Sequence, residues 1–373
     1  MRLKFSIAIA KLAGFASKQL LRKSGATIPG KILLSIYPKA LSVLAKNRKI
    51  ILVSGTNGKT STTRAITKCV ESLGPTVSNS TGSNLDRGVA TALMNKSEYA
   101  VLEVDELHLI KVAKETNPKV VLLLNLTRDQ LHRMHEVKKV AKRWHDLARE
   151  LPNTTFIGDV DDPFVAYALN GGFAPKRISF GGRAHEDGAV CPNCGKYLNW
   201  NQKGFNCSCG LTNKDAEINL TAGSAAIRNA QLANIAAEKI GAAPIEINEA
   251  ALERSAELNV KGVRTKLRLT KNPASWREAL LGIRSNNVIL ILNAREVDGI
   301  DTSWLWDIDF SSLKGKKIAV TGERALDMVY RLHVQGIDSK DFKDFESAVG
   351  HFEKNSNVDV LAAYTAFHGL VRA

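Results

Sequence analysis

Ile50-Ile51-Leu52-Val53-Ser54-Gly55-Thr56-Asn57-Gly58-Lys59-Thr60-Ser61-Thr62-Thr63-Arg64 is the stretch that decides the fold. An apolar, mostly β-branched run ends in a glycine turn, and helix-forming sequence follows to about Leu73. Strand, glycine turn, Gly-Lys-Thr and helix together make a phosphate cradle. Gly55 and Gly58 let backbone N–H groups approach an anion closely. The helix that starts near Lys59 aims its positive end at the same anion. Thr56, Asn57 and Ser61 complete the candidate nucleotide contacts. Lys59 is expected to reach the β/γ-phosphates and Thr60 to ligate Mg²⁺. Val53 stands where the full Walker pattern has its first glycine, so the competing reading is an ordinary strand-to-helix glycine turn.

Composition bounds what surrounds this loop. A chain of 373 residues is expected to form two or three domains. No run of 18 or more apolar residues occurs, so no membrane-spanning helix is expected. The net charge of +15 favours an anionic partner, whether nucleotide, nucleic acid or acidic lipid; the alternative is a generally basic, solvated surface. Aromatic residues are not interleaved with the basic ones, so stacking on nucleic-acid bases has little support and no nucleic-acid partner is expected. Five clustered cysteines point to metal binding in a reducing compartment rather than a disulfide framework.

Residues 1–23 repeat apolar side chains at helical spacing with Lys and Arg between them. This reads either as a basic amphipathic helix touching an anionic membrane or as a helix packed on the next domain. Lys11 interrupts the apolar run, against a signal peptide. Gly25 to Gly30 reads as a loop and Lys31 to Leu44 as a second helix. Beyond the phosphate loop, Ser78–Asn84 is a polar loop. Tyr99-Ala100-Val101-Leu102-Glu103-Val104-Asp105-Glu106 reads as a buried strand ending in acids, where ligands bind in open α/β sheets. Glu103 is a candidate Mg²⁺ ligand, since Mg²⁺ takes hard oxygens beside substrate phosphates. Asp105 and Glu106 either share that role or cap the next helix. Val120–Leu126 gives a further strand, and residues 153–162 another with the turn Asp159-Val160-Asp161-Asp162-Pro163.

Cys191-Pro192-Asn193-Cys194-Gly195 and Cys207-Ser208-Cys209-Gly210 place four thiolates at knuckle spacing, suited to a closed, structural, tetrahedral Zn²⁺. Paired disulfides or free thiols are the alternatives. Cys69 reads as a small core residue.

Gly-Thr-Asn-Gly-Lys-Thr resembles the ATP loop of the Mur ligase superfamily, which includes folylpolyglutamate synthases. That resemblance implies an α/β fold: a Mur-ligase-type P-loop central domain at about 47–262, after a basic helical segment 1–46, then a small Rossmann-like α/β C-terminal domain at 263–373. It implies ATP and Mg²⁺ as cofactors, Glu103 as the magnesium ligand, and activation of a carboxylate as an acyl phosphate. Asp161 matches a family position near the adenine, Asn229 one in the nucleotide site, and Arg264 an interdomain arginine that meets ATP phosphates; a helix-surface amide is the alternative for Asn229. Gln130, His132, Asp159 and Ala225 depart from the family's residues at their positions.

The inserted four-cysteine zinc ribbon, about 186–214, narrows the resemblance to the MurT family of synthetase subunits. So do Arg128-Asp129-Gln130, Lys271-Asn272-Pro273-Ala274 and Asp298-Gly299-Ile300-Asp301-Thr302-Ser303-Trp304. Residues 1–49 are too few for the domain with which Mur ligases hold a UDP-linked substrate, which implies a lipid-linked acceptor. The implied activity is ATP-dependent amidation of the D-glutamate α-carboxylate of lipid II, in peptidoglycan synthesis, by a cytoplasmic protein at the inner face of the membrane. The implied partner is a GatD-type glutamine amidotransferase subunit, whose Cys–His pair Asp301 would complete; an Asp that orients a His raises its basicity. Asp301 as the cap of a following helix is the competing reading. The rival functions are a folylpolyglutamate-type amino-acid ligase and a non-catalytic nucleotide- and zinc-binding module.

Overall fold

The computed structural model describes residues 2–21, 27–80, 83–128, 137–182, 185, 187–221, 223–248, 252, 254–296 and 298–372. Asp129, Gln130 and His132 lie outside the described residues. Two compact units are present: Met1–Leu126 with Val137–Leu252, and Thr127–Glu136 with Glu253–Ala373.

The first unit is built on a seven-stranded, all-parallel sheet. Its strands are β1 (Lys49–Ser54), β2 (Thr76–Ser78), β3 (Tyr99–Glu103), β4 (Val120–Leu123), β5 (Thr155–Asp159), β6 (Lys176–Ser179) and, beyond an inserted antiparallel hairpin of β7 (Asn199–Asn201) and β8 (Gly204–Asn206), β9 (Ile218–Asn219). The order is β2-β3-β1-β4-β5-β6-β9. β1, β3 and β4 are buried nearly throughout, as expected of parallel strands covered on both faces. The chain winds one way from β1 to β3 and the other way from β4 to β6. The switch point therefore lies at the C-terminal ends of β1 and β4, where doubly wound sheets bind ligands, and the phosphate loop leaves β1 there.

The expected helix over Lys31–Leu44 is instead two helices, Ile28–Ile36 and Ala40–Leu44. Pro29 occupies the first turn, where its missing N–H costs nothing, and Pro38 keeps the two apart. The strand read over Tyr99–Glu106 is shorter than expected, ending at Glu103.

The second unit holds a six-stranded mixed sheet of β10 (Ser255–Val260), β11 (Val263–Leu269), β12 (Asn287–Ile291), β13 (Lys317–Thr321), β14 (Lys340–Asp341) and β15 (Asn357–Ala362), in the order β10-β11-β15-β12-β13-β14. All neighbours are parallel except β10 and β11. Val260–Thr265, which spans the expected boundary between residues 262 and 263, is the heart of that antiparallel hairpin. Lys261 (φ 53°) and Gly262 (φ 82°) form its two-residue turn, the left-handed pair that matches strand twist. The second compact unit takes in Glu253–Ala373 and so the whole hairpin.

Candidate functional site

The phosphate loop is held from β4. Thr56 N–H donates to the Asn125 carbonyl at 2.9 Å. The Asn125 side chain grips the next residue twice: Asn57 N–H donates to Oδ1 at 2.9 Å, and Nδ2 donates to the Asn57 carbonyl at 3.0 Å. Gly55 (φ 140°) sits so close to this residue that a Cβ would lie 2.9 Å from the Asn125 carbonyl oxygen. Gly58 (φ 84°) is the N-cap of the helix Lys59–Val70. Behind it, Asn229 on the helix Ala225–Glu238 packs so tightly that a Cβ on Gly58 would meet its Nδ2 at 2.4 Å. Both glycines are therefore required by backbone angle and by space.

Lys59 Nζ donates to the Gly55 and Thr56 carbonyls and pairs with Glu106 Oε1 at 3.1 Å, with both side chains nearly buried. Glu106 thus supplies the counter-charge for the loop lysine. Thr60 and Ser61 lie in the first helical turn, with Ser61 Oγ donating to the Gly58 carbonyl at 3.3 Å. Asp105 accepts from Leu107 N–H at 3.0 Å, a local turn contact.

Glu103 closes β3 in register with Val53 of β1. Asn79 fixes its backbone, accepting from Glu103 N–H at 2.8 Å and donating to its carbonyl at 2.9 Å. The carboxylate is 5% exposed, and its Oε2 has no hydrogen-bond partner. A buried carboxylate oxygen left unpartnered is costly, and a hard cation is the partner its chemistry fits. Sequence reasoning did not foresee the roles of Asn79, Asn125 and the Glu106–Lys59 pair. The available signal was an amide or acid at the end of each strand bordering the switch point.

Two residues expected near the nucleotide, Asp161 and Arg264, have partners within the protein. Asp161 is buried and accepts from Ser179 Oγ (2.7 Å), Phe180 N–H (2.7 Å), Gly182 N–H (3.1 Å) and Asn213 Nδ2 (2.8 Å). Four protein donors saturate it, and it serves as a clamp at the root of the cysteine ribbon. Arg264 lies at the hairpin end of β11, away from that strand's C-terminal edge. Its Nε donates to Asn357 Oδ1 at 2.8 Å and its Nη2 to the Asn355 carbonyl at 3.3 Å, tying down the start of β15. Asp159, where the family expectation is Asn, faces Arg228 at 4.0 Å on the helix Ala225–Glu238, so its extra charge is balanced within the protein.

The four ribbon cysteines converge: Sγ of Cys191, Cys194, Cys207 and Cys209 all lie within 4.8 Å of one another, and none is in a disulfide. Cys191 N–H donates to the Lys196 carbonyl (2.8 Å) and Cys207 N–H to that of Leu211 (2.9 Å). Gly195 and Gly210 take the positive φ each turn needs. Burial pushes the Cys191 thiol up to about 12. At Cys209 burial acts the same way but is overridden by the Leu211 N–H and the Asn193 amide, which hold it down at about 6. Such a cluster can hold a metal ion. Cys69 is fully buried in the helix after the phosphate loop.

In the second unit the loop after β12 carries Asp301. It is pinned at Asp298, which is buried and accepts from Thr365 N–H and Oγ1, each at 2.7 Å. Asp301 Oδ1 accepts from Ser303 N–H at 2.8 Å, just before the short 3-10 helix Ser303–Asp307, whose N-cap is Thr302. Beside that helix runs an exposed apolar line. Leu326, Tyr330 and Val334 point outward from the helix Ala325–Val334 at 70, 61 and 54% exposure. Half-exposed Trp306 meets Tyr330 edge-on, with ring centres 6.1 Å apart.

Two family descriptions match the chain: Mur ligase middle domain over residues 53–237 and MurT ligase C-terminal over residues 269–367. It is 28% identical to the lipid II isoglutaminyl synthase (glutamine-hydrolyzing) subunit MurT of Streptococcus pneumoniae, over 98% of this chain and 96% of that one. To the same subunit of Staphylococcus aureus it is 27% identical, over 91% and 89%. Among solved structures, a pseudomurein peptide ligase type C from Methanothermus fervidus shares the fold at a TM-score of 0.66 and 16% identity, covering 88% of this chain and 79% of that one. MurF ligase from Thermotoga maritima, in complex with ADP, does so at 0.62 and 13%, covering 94% and 83%.

Proposed function

Since the chain belongs to the Mur ligase family and carries a MurT-type C-terminal domain, we infer that it is the synthetase subunit of a lipid II isoglutaminyl synthase, an ATP-dependent carbon–nitrogen ligase of peptidoglycan synthesis. The D-glutamate α-carboxylate of the lipid II stem peptide attacks the γ-phosphorus of ATP, ADP leaves, and an acyl phosphate forms. The lone pair of ammonia then displaces phosphate from the acyl carbon, a proton is lost, and D-isoglutamine results.

The observation that carries this reading is the phosphate loop at the switch point, pinned by Asn125 and bordered by the unpartnered oxygen of Glu103. The loop N–H groups and Lys59 bind and orient the phosphates, and Glu106 aims Lys59. Thr60 and Glu103 would hold magnesium, which when bound neutralises charge on the phosphate oxygens. Catalysis is then mostly positioning and charge stabilisation. The four cysteines would hold a structural Zn²⁺, whose tetrahedral thiolate preference they fit.

Outside the ribbon the chain has only Cys69, and it is buried in a helix, so ammonia comes from a GatD-type glutaminase. Asp301, on its anchored loop, would orient the partner's His. The apolar line of Trp306, Leu326, Tyr330 and Val334 beside it suits a permanent docking face. The work takes place at the cytoplasmic face of the membrane, where a lipid-linked substrate is presented.

The test is product mass and ATP turnover with lipid II, with ammonium or with glutamine plus the partner. Replacement of one OH by NH2 in lipid II supports the reading. ATP turnover that requires an amino acid and adds that residue to a carboxylate would put a folylpolyglutamate-type ligase in its place.

A further inference from the structure

The helix Arg2–Leu21 carries apolar residues on its outer as well as its inner face. Its fully buried positions are small residues, and half-buried Leu3 and Ile7 pack inward beside them. Ser6, Ala10, Gly14 and Ser17 are buried, and a Cβ on Gly14 would meet Pro29 Cγ of the next helix at 2.5 Å. Three of its large apolar side chains point outward: Phe5 is 70% exposed, Leu12 71% and Phe15 64%. Their spacing of seven and then three residues puts them on one face, with exposed Ala8 between them. Lys4 and Lys11, also exposed and seven residues apart, run along one edge of that face. Residues 1–49 contain eleven Lys and Arg, and the first acidic residue of the chain is Glu71.

An exposed apolar stripe normally marks a binding surface. Here the stripe is edged by lysines within a segment that has no negative charge at all. A protein partner would have to bring both a matching apolar groove and the counter-charge. An anionic bilayer offers both at once: acyl chains for the aromatic stripe and headgroups for the ammonium groups. We propose that this helix lies in the plane of an anionic membrane surface, with Phe5, Leu12 and Phe15 among the acyl chains and Lys4 and Lys11 at the headgroups. The inner face holds it close against Ile28–Ile36, so the segment docks as part of the folded unit. The proposal deepens the reading of a lipid-linked acceptor and rests on it for its purpose.

The test uses the full chain and flotation with vesicles of phosphatidylcholine alone or mixed with phosphatidylglycerol. Wild type should float with the mixed vesicles, release as salt is raised, and stay down with phosphatidylcholine alone. Phe5→Gln, Leu12→Gln and Phe15→Gln together should weaken partitioning on the order of a hundredfold. Lys4→Glu with Lys11→Glu should abolish the preference for anionic lipid. Phe15→Trp should show a blue-shifted emission that lipid-borne quenchers reduce. ATP turnover on a detergent-dispersed acceptor should be unchanged in the glutamine triple variant; a chain that floats but turns over no ATP would sink the ligase reading and leave this one standing. Flotation untouched by the triple variant, or a triple variant that loses the partner subunit but still floats, overturns the proposal.

Discussion

Gly58→Ala tests the phosphate loop at its tightest point. The native φ of 84° lies in the left-handed region, which costs a side-chain-bearing residue roughly 1–2 kcal/mol. The new methyl would also sit 2.4 Å from Asn229 Nδ2, against 3.4–4 Å for ordinary contact. Turning that amide off its rotamer adds about 1 kcal/mol. The sum, roughly 2–3 kcal/mol, predicts MgATP or MgADP binding weaker by about one and a half to two decades at 1.4 kcal/mol per decade. The two terms separate in a double-mutant cycle. Asn229→Ala in the Gly58→Ala background should recover the steric share, about fivefold, and leave the backbone share. Titration calorimetry on the four proteins reads this directly, with thermal unfolding as a check on folding. Wild-type affinity in Gly58→Ala, or a double variant as weak as the single, would refute the packing argument.

Asp301→Asn should lower glutamine-driven amidation on the order of a thousandfold or more and leave ammonium-driven amidation intact, as measured by product mass with each donor. Zinc analysis should find one ion per chain in wild type and none in Cys194→Ser; hydrogen exchange should then rise across the ribbon and stay unchanged in the helix Lys59–Val70. Asp359 is buried, and burial pushes its carboxyl up. That is overridden by the Ser285 N–H, the Arg268 guanidinium and the Arg284 N–H, which hold it below the usual carboxylate range. A depressed value stabilises above the unfolded carboxylate value and is lost as pH falls through the folded one. Asp359→Asn should therefore cost about 3 kcal/mol at neutral pH, and its gap to wild type in denaturant titrations should narrow below about pH 4.

The strands of the first sheet were legible because a parallel strand buried on both faces must be a near-continuous apolar run, as Ile50–Val53 and Val120–Leu124 are. The ligand-binding turn was legible because only glycine fits φ values of 140° and 84°. What sequence could not give was pairing across distance. Nothing local tells that Asn125 grips Asn57, that Glu106 rather than Asp105 meets Lys59, or that Asp161 accepts from a ribbon residue 52 positions away. The β10–β11 hairpin was missed for another reason. Lys261-Gly262 is a two-residue turn without the Asn-Gly or Asp-Gly that advertises one, so the expected domain boundary falls inside the hairpin. The two early helices read as one because both are apolar at helical spacing, and Pro38 is the only break between them.

The ribbon can also be viewed as a problem in polymer closure. About 38 residues separate the paired ends of β6 and β9, and joining Cys191 to Cys209 through one ion shortens the open path to about 20. Halving a flexible loop lowers its closure entropy cost by only about 0.6 kcal/mol. One hydrogen bond of the Asp161 clamp contributes as much, and that clamp has four. Arg177 adds bonds to Asp215 and to the Thr212 carbonyl. The edge strand is therefore secured at its root, whether or not an ion is bound. Stripping the metal should loosen a tethered tip while the sheet, and the phosphate loop four strands away, keep their shape.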